Sequence, residues 1–175
     1  MLYFTSDQHY GHENAIMYCD RPFTNTGKME RTLTRNYNNT VGQNDITFFL
    51  GDISLRGSEN LGWYRGLLKK LNGKKILVLG NHDKMKPFQY VECGFKSVHT
   101  SYILKHDGII YGLAHDPAYS INGGDMDYWI CGHVHTMFKT LGNIINVGVD
   151  VHDYKPISMI DVVELLDARR TDRPK

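Results

Sequence analysis

Five apolar runs in this chain stop abruptly, and each stops in polar residues able to bind metal or move protons. Leu2–Ser6 ends in Asp7-Gln8-His9, and Ile46–Leu50 ends in Gly51-Asp52. Lys75–Leu79 ends in Gly80-Asn81-His82-Asp83, Ile109–Ala114 in His115-Asp116, and Tyr128–Cys131 in Gly132-His133-Val134-His135. Short apolar runs of this kind read as buried strands. Buried strands that deliver polar clusters at their carboxyl ends are how open α/β sheets present a site. Six of the nine histidines (His9, His12, His82, His115, His133 and His135) lie at or just past a run's end, a placement solvated surface histidines would not share.

Between these runs the pattern changes period. Glu13–Tyr18 reads as a short helix broken by Asp20-Arg21-Pro22. Met29, Leu33, Tyr37 and Val41, at four-residue spacing, predict a helix over 26–41, with Thr26 as its cap and Gly42 after it. Ser58-Glu59 opens a third helix, whose Leu61, Tyr64, Leu67, Leu68 and Leu71 form a core-facing stripe ending at Gly73. A short helix is expected from Pro87 to Glu92, stopped by Gly94. Asp107-Gly108 predicts a hairpin between Tyr102–Lys105 and Ile109–Leu113. Ile144–Val147 is a further short strand. Ser158 and Asp161 form a capping box for a last helix, with Ile157 and Val162 placed as its hydrophobic staple. The first half alternates strand and helix and the second is strand-rich, which predicts a layered α/β domain with two sheets face to face. One domain is expected over residues 1–166, with a polar, fraying tail at 167–175.

At 175 residues the chain is long enough for one sizeable core. Its 20 basic and 19 acidic side chains nearly cancel, which disfavours a coat for long nucleic acid or a membrane-surface protein. No apolar stretch reaches the ~20 residues of a membrane span. The N-terminus has no signal-peptide pattern. Cys19, Cys93 and Cys131 make neither a disulfide ladder nor a CxxC site, so a reducing cytoplasm is the expected setting, with Cys131 a core residue.

Asp7, His9, Asp52, Asn81, His115, His133 and His135 supply two carboxylates, one amide oxygen and four imidazoles, without a thiolate. Such a set suits Mn, Ni, Fe, Co or Zn rather than an all-oxygen calcium or magnesium site. Seven donors exceed one tetrahedral ion and suit two divalent ions sharing a carboxylate. Turn chemistry after a strand is the ordinary explanation for an isolated Asp or Asn, but it would have to recur at every strand end.

The order Asp7-Gln8-His9, Gly51-Asp52, Gly80-Asn81-His82-Asp83, His115, Gly132-His133-Val134-His135 resembles the calcineurin-like metallophosphoesterase superfamily over residues 1 to about 150. Gly11-His12-Glu13-Asn14 and Asn146–Asp150, with Lys155-Pro156 following, look like a small bacterial and phage branch. The resemblance implies a four-layer α/β/β/α sandwich. It assigns one ion to Asp7, His9 and His135 and the other to Asn81, His115 and His133, with Asp52 between them. It makes His82 a non-ligand histidine that contacts the phosphate and protonates the leaving oxygen. The implied reaction is hydrolysis of a small phosphate ester, a nucleotide or cyclic nucleotide among the candidates, by a metal-bound hydroxide.

His12, Asn14 and Arg56 are candidate substrate contacts. His12 and Asn14 also suit a helix start, Arg56 suits an ordinary surface residue, and Tyr10 reads as packing. Where phosphoprotein phosphatases have G-D-x-x-D-R-G, this chain has Leu55 in place of the second Asp, so the resemblance supplies no orienting carboxylate for His82. Few cations lie near the site, which favours a singly charged diester over a dianionic monoester. A phosphatase and a non-catalytic binding scaffold are the competing readings.

Overall fold

Phe48 and Phe49 are neighbours in one strand and serve two different cores. Successive strand side chains point to opposite faces. Phe48 therefore packs with Phe4, Leu50, Ile76 and Val78 against Tyr111, Leu113, Ile130 and Ile145. Phe49 packs with Leu77 against Leu33, Tyr37, Tyr64, Leu68 and Tyr90. The first cluster lies between two sheets and the second between a sheet and helices.

The structure is a computed structural model that describes residues 1–55 and 60–171. The first sheet contains β1 (Leu2–Thr5), β2 (Ile46–Phe49), β3 (Lys74–Val78), β4 (Ser97–His99) and, far along the chain, β10 (Ile157–Ser158). The second contains β5 (Tyr102–His106), β6 (Ile109–Leu113), β7 (Tyr128–Cys131), β8 (Thr140–Leu141) and β9 (Ile144–Asn146). Their orders are β10-β1-β2-β3-β4 and β5-β6-β7-β9-β8. β1 to β4 run parallel, as do β6, β7 and β9; β10, β5 and β8 are antiparallel partners. The helices are α1 (Glu13–Tyr18), α2 (Thr26–Thr40), α3 (Leu61–Lys70), α4 (Pro87–Cys93), the single turn α5 (Tyr119–Asn122) and α6 (Met159–Thr171). Two central sheets flanked by helices make the α/β/β/α sandwich.

The register aligns the strand ends. Phe4 sits opposite Phe48, Phe48 opposite Ile76, and Ile130 opposite both Leu113 and Ile145. All carboxyl ends of the parallel strands therefore open on one edge. A parallel bridge, Ser6 to Gly148, joins β1's exit to the segment after β9. The two sheets touch there, at the mouth of the site.

Local outcomes differ from expectation in a few places. The cap of α2 is Asn25, whose side chain accepts from the Lys28 N–H at 2.9 Å, and Thr26 is the first helical residue. The start of the third helix at Ser58-Glu59 lies outside the described residues. Ser158 and Asp161 do form the reciprocal cap of α6, at 2.6–3.1 Å, and Ile157 and Val162 share one core. The helix then continues to Thr171 despite its polar composition after Asp167. β4, β8 and β10 have two or three residues each, too short for period to reveal.

Candidate metal centre

Five of the seven candidate ligands occupy the left-handed backbone region: Asp7 (φ 60°), His9 (φ 50°), Asp52 (φ 54°), His133 (φ 71°) and His135 (φ 47°). That conformation is uncommon outside glycine, although Asp and His tolerate it better than most. Each such residue costs about 1–3 kcal/mol, and such strain gathers at functional sites. Here it turns the chain sharply at each strand end and aims the side chains inward. The glycines before the motifs have a separate task, close approach. A Cβ on Gly80 would strike the Asp52 carboxylate and lie 2.6 Å from the Asp52 nitrogen. One on Gly132 would strike the Ser6 hydroxyl and lie 2.6 Å from Asp7 Oδ2. Each carboxylate rests on the bare backbone of another motif.

The side chains converge as two trios. Donor atoms of Asp7, His9 and His135 lie within 4.8 Å of one another, as do those of Asp52, His115 and His133. Asn81 Oδ1 joins the second, 2.9 Å from His115 Nε2 and 3.0 Å from His133 Nδ1. Asp52 Oδ2 faces both trios, 3.4 Å from His115 Nε2 and 3.7 Å from His9 Nε2. A third trio, Cys19, His135 and Asp150, shares His135. Both oxygens of Asp150 already accept from Arg21, which makes that group a hydrogen-bonded cluster rather than a separate cation site.

The chemistry of the donor set fits divalent transition-metal ions. His115 Nδ1 donates to the Leu50 carbonyl at 2.7 Å, which turns Nε2 toward Asn81 Oδ1, and in the neutral ring that nitrogen is an acceptor. Two acceptors this close repel unless a proton or cation lies between them. Asp7 is wholly buried, and among the described residues its carboxylate accepts only from the His133 N–H, at 2.9 and 3.1 Å. A buried carboxylate without a countercharge is costly, and a cation removes the cost. His9 Nδ1 is buried with no hydrogen-bond partner among the described residues.

The protein's own field favours positive charge in both trios. The Asp150 carboxylate against Nδ1 pushes the His135 imidazolium up to about 10. Burial works against His115, yet the carboxylates of Asp52 and Asp7 bring it up to about 9. Burial also acts to raise Asp52, but contacts from His115, the His82 N–H and His9 bring it down to about 2. Burial lowers His9 to about 3, which keeps a neutral imidazole available as a ligand.

His82 stands beside the trios, its Nε2 3.9 Å from Asp52 Oδ2 and its N–H donating to Asp52 Oδ1 at 2.9 Å. With Leu55 exposed, Asp52 is the one carboxylate within 4.0 Å of the His82 ring among the described residues. His12 packs edge-on to His9 at 5.5 Å and makes no side-chain cap for α1. A cleft of about 390 Å³ is lined by the imidazoles of His9, His12, His82, His133 and His135 together with Ala15, Tyr18, Cys19, Val134, Thr136 and Met137. Asn14 is exposed on α1 and absent from this lining. Arg56 lies outside the described residues. Tyr10 is buried as packing, in a parallel bridge with Ser54.

Four residues that support the trios were not singled out as site residues from sequence. Arg21 forks onto Asp150, and Asp150 accepts from His135 Nδ1 at 2.8 Å. Asn146, fully buried, donates to the carbonyls of His135 and Phe138 and shapes the last motif's loop. Asp83 accepts from the N–H groups of Asp52, Gly80 and Ile53 and ties the second motif to the third. The breaker Asp20-Arg21-Pro22, the segment Asn146–Asp150 and the motif ending in Asp83 carried the hints.

A family model described as calcineurin-like phosphoesterase matches residues 2–107. His115, His133 and His135 lie past that match and join the site by geometry. An uncharacterized protein of Methanocaldococcus jannaschii is 35% identical over 98% of this chain and 94% of its own. The gene 66 protein of Mycobacterium phage L5 is 33% identical over 49% of this chain, which spans 41% of the phage protein. A solved structure, a protein of unknown function from Aquifex aeolicus, superposes with a TM-score of 0.74 at 29% identity, over 94% of this chain and 98% of that one. On a family match across most of its length and a full-length relative, the chain belongs to the calcineurin-like phosphoesterase family.

Proposed function

We propose that this protein is a dinuclear metal-dependent phosphoesterase that prefers phosphodiesters. Asp7, His9 and His135 would hold one ion and Asn81, His115 and His133 the other, with Asp52 available to both. The observation that carries the dinuclear reading is Asp52 Oδ2, which faces an imidazole of each trio at 3.4 and 3.7 Å. Two divalent cations so placed lower the pKa of a water and neutralise charge on the phosphoryl group. Manganese, nickel, iron, cobalt and zinc all suit the donors.

The chain's own groups do the remainder. His82, half-exposed in the cleft beside Asp52, is placed to give a proton to the leaving oxygen. His12 and the wall of Tyr18, Val134 and Met137 receive the ester's organic arms. Among the described residues lining the cleft there is no Lys, Arg, Asp or Glu. A monoester dianion wants fixed cations beyond the metals; a diester carries a single charge and a second organic group, which this lining suits. A nucleotide or cyclic nucleotide is the expected class of substrate. Three free cysteines fit a reducing cytoplasm, and no described helix is long and apolar enough to cross a membrane.

The test is kcat/KM for bis-(nitrophenyl) phosphate against nitrophenyl phosphate, at one pH and with one metal, repeated with a natural diester and monoester pair. A ratio above one is expected. A ratio clearly below one in both pairs makes the protein a phosphatase, and no turnover with any of the five metals returns the scaffold reading.

A further inference from the structure

Arg21 and Asp150 form a buried ion pair at the back of only one trio. The two side chains are 0% and 1% exposed. Every N–H of the guanidinium is engaged. Nε donates to Asp150 Oδ1 at 2.7 Å, and Nη2 to Asp150 Oδ2 at 2.9 Å and the Asp7 carbonyl at 2.7 Å. Nη1 donates to the Gln8 carbonyl at 2.9 Å and approaches Met29 Sδ at 3.3 Å.

These contacts reach all three members of the trio Asp7, His9 and His135. The Asp7 and Gln8 carbonyls bracket the backbone that holds Asp7 and His9 in the left-handed region. Asp150 Oδ2 accepts from His135 Nδ1 at 2.8 Å, which fixes the tautomer and turns Nε2 toward the cleft. The other trio is held differently. His115 is pinned by the Leu50 carbonyl, Asn81 and His133 are exposed, and Arg21 contacts none of them.

We propose that Arg21 and Asp150 are positioning residues that preorganise the Asp7–His9–His135 ion site and leave the second ion's site to stand without them. Only a planar fork with five donors can serve a carboxylate and two carbonyls at once. A lysine keeps the charge and loses the geometry. Removal of a supporting partner behind a metal-binding histidine typically lowers metal affinity about 10–100-fold, and that loss is expected for one ion only. The inference rests on reading Asp7, His9 and His135 as one ion's ligands.

The experiment is calorimetric titration of metal-free protein with Mn²⁺ and with Co²⁺, following the cobalt absorption spectrum, for wild type, Arg21→Lys and the charge-removing double variant Arg21→Met/Asp150→Leu. The double variant is included because it leaves neither charge buried alone, whatever Arg21→Lys does to folding. Proton and nitrogen NMR of the metal-free proteins reads the His135 Nδ1–H hydrogen bond independently of activity. Wild type is expected to bind two ions and to show a downfield, slowly exchanging His135 Nδ1–H. The variants are expected to bind one ion as before and the other at least tenfold more weakly, with that proton signal lost or shifted. A folded variant that keeps both affinities, or loses both equally, overturns the inference. Wild type that binds no second ion overturns the dinuclear reading instead.

Discussion

Arg21 and Asp150, 129 residues apart in sequence, meet at 2.7 and 2.9 Å in a two-pronged contact sealed from solvent. One end of the contact holds the loop after the first strand and the other holds a histidine of the last motif. The segment after β9 is thereby bound to the segment after β1, where Ser6 and Gly148 also bridge the two sheets. The fold closes and the Asp7–His9–His135 trio comes together through the same contacts. Strain at Asp7, His9 and His135 persists because the surrounding hydrogen bonds over-determine it.

Asp52→Asn is expected to weaken both ions together. The change keeps the shape and removes the one carboxylate, among the described residues, within 4.0 Å of both His9 and His115. The rate should fall by several orders of magnitude, about as much as losing nucleophile activation and charge neutralisation together implies. Metal content by elemental analysis, beside turnover, checks it. Two tightly held ions with near-normal turnover would falsify the shared role of Asp52.

His82→Ala is expected to leave two ions bound and to lower turnover. A general acid typically contributes about 10²–10⁴-fold. The loss should shrink for nitrophenyl esters, whose leaving group departs without a proton, and stay large for alkyl esters. Equal losses on both would give His82 a phosphate-positioning role, and loss of an ion would make it a ligand.

All seven ligand candidates could be read from the sequence because each lies within four residues of the end of an apolar strand. Local order alone brings them to one edge once the strands run parallel. The hairpin at Asp107-Gly108 and the α6 cap were legible for the same reason, since their partners are a few residues apart. Arg21 and Asp150 were not. Their meaning lies in a contact across most of the chain, and neither has a local period to announce it. Asp83 was seen as part of a motif, but its acceptance from Asp52 and Ile53 appears only when the loops after β2 and β3 lie side by side.

His152 gives the fold an acid-sensitive point outside the ligand set. It is buried, and Nε2 donates to the Asn146 carbonyl at 2.8 Å. Burial lowers its pKa from the usual histidine value. The unfolded chain therefore takes up a proton first as pH falls, so this contribution is present above about pH 6.5 and is lost below it. One unit below the ordinary pKa, the loss reaches at most about 1.4 kcal/mol. His152→Gln keeps the donor and cannot titrate. Urea unfolding with EDTA at pH 7.5 and 5.5 should show a smaller acid loss in the variant. An unchanged difference would mean that His152 titrates alike in both states.

Asp83→Asn is expected to disturb both ions, in contrast to the single-ion loss expected at Arg21. Oδ2 of Asp83 accepts from the Asp52 and Gly80 N–H groups at 2.9 Å, and Oδ1 from Ile53 at 3.3 Å. Burial pushes this carboxyl up to about 7, against those three donors, so near neutral pH its acceptor atoms matter more than its full charge. Asn can place its oxygen at the Oδ2 position, but its NH₂ then meets the Ile53 N–H donor to donor. An unsatisfied buried group costs about 1–3 kcal/mol, or roughly 2–12 °C in Tm for a chain of this size. The loosened backbone is at Ile53, next to Asp52, which faces both trios, so calorimetry should show both affinities reduced. A lower Tm with both affinities unchanged would make Asp83 a strut of the fold alone, and a loss confined to one ion would show that Asp52 serves only that ion.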